Sequence, residues 1–413
     1  MANGREVWMP HWVGQLPQLE VVAISDTEKD EFIYRLFEHM RQAFNHGYSS
    51  QTRMDLEFGR VDEWKLNSSD GRERPRLWVV NRVDGLMLAL AGQGEQRQRD
   101  IAEWRTGIEA AIARIGVRGE EQWVAILCQN QPDPYMLNGQ RLSDPVTIGG
   151  LSFASLTDGI AEDARIPTSG LGISVGKFFH WPIEVRGVTS CYTWQRDGEL
   201  TTLARLRRIS ALLSLAWDSP WLVREGPRDP SISFAGMSSA LQGHSWRPIT
   251  DEVIQESSRP ISVPAWIADA ERTMSNVPRS ANALLMHQEG LTLKRDHSSM
   301  ALVCFTAAVE TLAQINKNPE KCPECSMMLS SRKRFEDAIR GVLDDDQAAY
   351  LIKAYPQRSR TVHQGKLHGT EMQIGSFGRM SLFMPDEEFL FTAGTVQAAQ
   401  EASRKLLLDT FGV

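Results

Sequence analysis

The chain has 413 residues, of which 42% are hydrophobic and 23% charged, and a formal net charge of −7. These values exclude a collagen-like, mucin-like or wholly disordered chain and leave room for two domains. The acidic balance means that any nucleic-acid contact needs a local basic patch.

Residues 1–8 lack the apolar segment of a signal peptide. The runs at 86–91 and 209–217 are core-sized rather than bilayer-spanning. The five cysteines, Cys128, Cys191, Cys304, Cys322 and Cys325, are too few and too odd in number for a disulfide framework. The expectation is a cytoplasmic protein without a membrane span.

Along the chain, Ser25 or Asp26 is placed to cap a helix carrying Phe32, Ile33, Leu36, Phe37, Met40 and Phe44, with Gly47 as its stop. Residues 77–83 and 123–128 read as strands. Between them, 100–115 reads as a helix with a stripe of Ile101, Trp104, Ile108, Ile112 and Ile115. Short β-branched runs at 146–148 and 183–188 read as strands, and 200–217 as a helix rich in Leu. Residues 225–264 shift to Gly, Pro and Ser and read as an irregular linker.

The texture then changes. Every Trp lies before residue 270, and the remainder reads almost wholly helical. Helices are expected at 279–288, from Asp296 through Leu302, Phe305, Val309, Leu312 and Ile315, from Ser330 or Ser331 through Phe335, Ile339 and Val342, at 347–355, and from Asp386 to about Thr410. The expected fold class is α+β: an N-terminal mixed α/β domain over 1–270, then an all-α helical bundle over 280–413.

The segment with the most chemistry is Tyr355-Pro356-Gln357-Arg358-Ser359-Arg360-Thr361-Val362-His363-Gln364-Gly365. From Gln347 to Thr370 there is no Asp or Glu, but there are Lys353, Arg358, Arg360, His363, Lys366 and His368. That makes an anion-attracting strip on an acidic protein. Spacing alone is weak, because Arg41 and His46 repeat it at the end of the first helix, where a cation beside the helix C-terminus is explanation enough.

Tyr-x-x-Arg-Ser-x-x-Val-His-x-Gly resembles the Arg-x4-6-His motif of HEPN domains, in the form seen in Apea-like HEPN domains of bacterial defence proteins. Glu310, within Ala-Ala-Val-Glu-Thr-Leu, resembles the first-helix pattern of that family. The resemblance covers residues 280–413. It implies a metal-independent endoribonuclease, RNA as substrate, a homodimer that brings two motifs together, and a defence or toxin-like setting. Arg358 and His363 would be catalytic, supported by Tyr355, Ser359, Arg360, Glu310 and Lys366, with no cofactor. Many members carry a separate N-terminal domain, here expected to sense an unidentified signal or partner.

The residue types suit the chemistry. Cleavage by the 2′-hydroxyl needs a proton removed there and one given to the leaving 5′-oxygen, and imidazole can do either. Charge gathers on the phosphate oxygens, which a guanidinium matches. Pro356 and Gly365 bracket the motif, which suggests a short helix ending near His363. Ser359 stands where active members often carry Asn, Asp or His. That favours an alternative: a non-catalytic HEPN module for dimerisation and RNA or nucleotide binding.

Three other patterns carry less. Cys322-Pro323-Glu324-Cys325 has the spacing of half a zinc site and lacks a second pair; a surface turn is the simpler reading. Gly170 to Lys177 looks like a phosphate loop, but its glycine spacing is wrong and Phe178 replaces Ser or Thr, so strand and turn are expected. Asp55, Glu63 and Lys65 mimic the acidic constellation of a metal-dependent nuclease, though Glu63 and Lys65 sit in a polar stretch that does not read as a buried strand.

Overall fold

The computed structural model describes residues 18–22, 24–25, 28–43, 46–56, 59–68, 76–82, 85–91, 96–130, 139–156, 160–165, 168–169, 172–173, 176–194, 197–231, 245–247, 258–294, 297–315, 330–368 and 391–413. The fold is α+β. The chain divides into two compact units, residues 1–120 with 190–198 and residues 121–189 with 199–413.

In the first unit, β1 (Gln18–Val22) and α1 (Lys29–Ala43) precede β2 (His46–Leu56), β3 (Gly59–Ser68), β4 (Arg76–Arg82) and β5 (Gly85–Ala91), and α2 (Gln96–Arg114) follows. The five strands form one antiparallel sheet in the order β1-β5-β4-β3-β2. Leu77, Val79, Leu86 and Leu88 alternate into a core shared with Phe32, Leu36, Phe37 and Met40 of α1 and Trp104, Ile108 and Ala111 of α2. Gly107 faces Met40, His39 and Leu36, so α1 lies on that side of α2. This turns Ile112, expected on the apolar stripe, outward to 44% exposure. Gly47, expected to stop the first helix, lies inside β2, and the polar stretch holding Glu63 and Lys65 is strand β3.

A buried ion pair ties this unit together. Arg35 donates from Nε to Glu31 Oε1 at 2.8 Å and from Nη2 to the Thr193 hydroxyl at 3.0 Å. Glu31 Oε2 accepts from the Gly116 amide at 3.1 Å, just beyond the end of α2. Both charges are buried, and both find partners, as burial requires.

The remaining elements are β6 (Arg118–Gln129), β7 (Gly139–Leu142), β8 (Val146–Ile148), β9 (Leu151–Ser155), β10 (Ile160–Arg165), β11 (Thr168–Ser169), β12 (Gly172–Ile173), β13 (Gly176–His180), β14 (Ile183–Tyr192), α3 (Asp197–Trp217), β15 (Trp221–Arg228), β16 (Ser245–Arg247) and β17 (Ser258–Ile261). A five-stranded sheet runs β15-β6-β14-β9-β8. The helices that follow are α4 (Ile267–Asn276), α5 (Pro278–Leu293), α6 (Ser298–Ile315), α7 (Ser331–Arg340), α8 (Asp345–Gln364) and, after a π-helical turn at Phe391–Val396, α9 (Gln397–Phe411).

Within the second unit, one hydrophobic core joins Trp123, Leu127, Phe153 and Val185 of the sheet, Leu206, Ile209 and Leu213 of α3, and Leu284, Phe305, Val309, Leu351 and Leu407 of the helices. The change of texture near residue 270 therefore falls inside a single core. A buried polar chain runs through it. Gln288 donates to Ser210 Oγ and to the Trp221 carbonyl, the Trp221 indole donates to Gln140 Oε1, and Gln129 donates to Ser219 Oγ while accepting from the Gln140 amide.

α6 is the central helix, packed against α5, α7, α8 and α9. It is long and apolar enough to cross a membrane, the one such helix among the described residues, and its burial in the bundle accounts for that composition. Gly290 of α5 faces the Phe305 ring, where a Cβ would come within 2.5 Å of a ring atom, so glycine allows the close approach of α5 and α6. Ser330 caps α7 by accepting from the Lys333 amide, and Asp344 caps α8 by accepting from the Gln347 amide.

Candidate active site in the helical bundle

The Arg/His segment is not a short helix between Pro356 and Gly365. α8 continues for 20 residues, with Pro356 inside it. Proline lacks the amide that would bond the Ile352 carbonyl. Ala348, Leu351, Ala354 and Thr361 are buried along one side of α8, and that packing carries the helix through the break. Gly365 then ends it at φ 64°, its amide turned back to the Arg360 and Thr361 carbonyls, while the Lys366 amide also reaches Arg360.

Arg358 and His363 lie five positions apart on this helix, so their side chains leave it about 140° apart. Arg358 is half-buried against α6, where Nη2 donates to Glu310 Oε2 at 3.0 Å. His363 is exposed in the last turn. One copy of the helix does not bring the two together.

Glu310 is the anchor of the site. Its other oxygen, Oε1, accepts from the Tyr355 hydroxyl at 2.6 Å. The Tyr355 ring packs on Phe335 of α7 at 4.7 Å between centroids, and Ser331 at the start of α7 lies beside the phenol. Burial, and next the bond to Glu310, push the Tyr355 phenol above its usual range, so it stays protonated and a donor. Two residues of α8 thus share one carboxylate of α6, and α7 packs against Tyr355.

Beside this network, Arg358 Nε and Gln357 Oε1 are buried without a hydrogen-bond partner among the described residues. The side chains of Ser359, Arg360, His363 and Lys366 make no hydrogen bond or ion pair among the described residues. Arg360 and Lys366 are exposed, as the basic strip requires. His368 is not part of that strip. It is buried, its ring lies 5.5 Å from that of Phe391, and its amide donates to Ser299 Oγ at 2.7 Å.

Among the described residues, the other sequence patterns do not assemble into a site. In the β2–β3 hairpin Asp55 stands opposite Arg60, and Glu63 opposite Thr52. The two acidic positions are three rungs out of step in a structure whose alternation has a period of two. Cys322 and Cys325 lie outside the described residues. Among the described residues no group of three His, Cys, Asp or Glu is placed to hold a metal ion. Cys304 and Cys128 are buried, and burial pushes their thiols up to about 11 and about 12. Gly172 and Lys177, from the loop-like glycine run, belong to strands β12 and β13.

Ser331 and Phe335 were readable in the sequence only as a helix start and an apolar position. Their role against Tyr355 depends on a contact between helices that no local pattern encodes. No protein-family model matches the chain, and no curated protein matches it.

Proposed function

We propose that the chain is a metal-independent endoribonuclease of HEPN type that acts as a homodimer. The observation that carries this reading is an arginine fixed by Glu310 within α8, with an exposed histidine, unpaired among the described residues, at the end of the same helix. The 140° between them supports a composite site, in which Arg358 of one protomer meets His363 of the other across a two-fold axis.

In that arrangement His363 takes the proton from the 2′-hydroxyl, or gives one to the leaving oxygen. The 2′-oxygen forms a bond to phosphorus as the bond from phosphorus to the 5′-oxygen breaks. Arg358 stabilises the charge on the non-bridging oxygens. The products are a 2′,3′-cyclic phosphate and a 5′-hydroxyl. Arg360 and Lys366 hold flanking phosphates, and Tyr355 and Glu310 hold Arg358. The cytoplasmic setting, expected from the sparse cysteines, and a defence or toxin role restrained by the rest of the chain, implied by the resemblance, belong to the same proposal.

One observation favours a second reading. Glu310 already compensates the Arg358 charge, and Ser359 makes no bond that would order the motif. Both suit a binding module that dimerises and holds RNA without cutting it. Labelled RNA separates the two: cleavage lost in Arg358→Ala and His363→Ala supports the first, whereas binding without cleavage by the native protein supports the second.

A further inference from the structure

We propose that Tyr355 is a positioning residue for Arg358, acting through Glu310: by occupying one carboxylate oxygen it limits Glu310 to a single bond with the guanidinium and leaves the other Nη N–H groups free to face a phosphate. The inference rests on the ribonuclease reading of this site.

A carboxylate facing an arginine normally takes two parallel N–H bonds. Here it does not. Oε1 is held by the Tyr355 hydroxyl at 2.6 Å and Oε2 by Arg358 Nη2 at 3.0 Å. Arg358 Nε–H, the donor that a two-bond pairing would engage, has no partner although it is buried. A buried donor without an acceptor is a cost that a competing carboxylate oxygen would relieve. What prevents that relief is the phenol.

Tyr355 is itself pinned. Phe335 packs against its ring, and Ser331 lies beside its oxygen. Ser331 and Phe335 both lie on α7, and Glu310 lies on α6, so the phenol cannot follow the carboxylate if it swings. Removing only the hydroxyl frees Oε1. The carboxylate then turns onto Nε–H and holds the guanidinium by two bonds, which draws its Nη donors back toward α6 and away from the substrate. The loss falls on the transition state, where phosphate charge is greatest, more than on ground-state RNA binding, which the exposed Arg360 and Lys366 can supply.

The test uses the full chain and two readouts. The first is the Arg358 Nε–H signal in protein labelled with 15N-arginine, assigned with Arg358→Lys. In Tyr355→Phe this proton is expected to exchange more slowly with water and to shift downfield, as it gains an acceptor. An unchanged signal overturns the proposal whether or not RNA is cut. The second is cleavage of labelled RNA. Tyr355→Phe is expected to lower kcat roughly tenfold with KM within about twofold. Glu310→Gln/Tyr355→Phe is expected to cleave as fast as Glu310→Gln alone, because an amide cannot capture Arg358 by two acceptor oxygens. An equal loss from Tyr355→Phe in both backgrounds overturns the proposal, since Tyr355 would then act on RNA directly. No cleavage by the native protein defeats the ribonuclease reading instead, and the Nε–H signal still reports whether the phenol holds Glu310 to one bond.

Discussion

Arg358 and His363 share one unbroken helix and point about 140° apart, the first against Glu310 and the second into solvent. In the proposed dimer, a site that uses both is completed by a second copy of the chain. This relationship dictates the first prediction. Arg358→Ala and His363→Ala are each inactive, but mixing them regains about a quarter of native cleavage, because half of the dimers then hold one intact Arg/His pair. Gel assays on refolded mixtures check this. Mixtures as inactive as their parents would place both groups in one protomer.

The ion pair of the first unit predicts an asymmetry. Arg35→Met leaves Glu31 buried with its charge uncompensated and costs about 3–5 kcal/mol, whereas replacing both residues with apolar ones of similar size costs far less. Urea unfolding of the single and double variants measures it. Equal losses in the two would show that burial, not pairing, sets the cost.

Gly290→Ala is expected to destabilise by about 1–3 kcal/mol, because its methyl would press on the Phe305 ring and force α5 from α6. Phe305→Leu in the same chain should restore part of the loss. Thermal unfolding of the two variants decides it, and a neutral Gly290→Ala would contradict the packing described.

His287 predicts a pH dependence. It is fully buried; Ser403 Oγ lies 2.7 Å from Nδ1 and spends its own proton on the Gln400 carbonyl, so Nδ1 carries the hydrogen. Burial, and next the nearby Arg404 charge, push the ring down to about 3. Above the unfolded pKa, about 6.5, the ring is neutral in both states and costs nothing. Below it the unfolded chain takes up a proton that the folded one refuses, so stability falls between about pH 6.5 and 3, by about 2 kcal/mol at pH 5. His287→Gln and His287→Leu should flatten that slope. The same slope in both variants would assign it to other groups.

Much of the helical bundle was legible. Ser330 and the apolar positions Phe335 and Ile339 marked α7, and the run from Leu302 to Ile315 marked α6, because caps and 3.6-residue spacing are local. The continuity of α8 was not, since Pro356 reads as a break and only burial of Ala354 and Thr361 overrides it. The basic strip was legible as composition, but His368 was wrongly counted in it, because the chain after Gly365 folds back onto Ser299. The partners of Glu310 were half legible: Tyr355 and Arg358 belong to one motif, while their meeting with α6 and α7 lies in tertiary packing. The chain Gln288–Ser210–Trp221 left no sequence signal, since each bond joins residues far apart in the chain.

Native protein compared with His363→Ala on labelled mixed RNA in EDTA, with analysis of the product ends, decides whether the Arg/His helix cuts RNA. Cleavage by the native protein alone is expected, leaving 2′,3′-cyclic phosphate and 5′-hydroxyl ends. Equal cleavage by the two proteins, or 3′-hydroxyl ends, would contradict the ribonuclease reading.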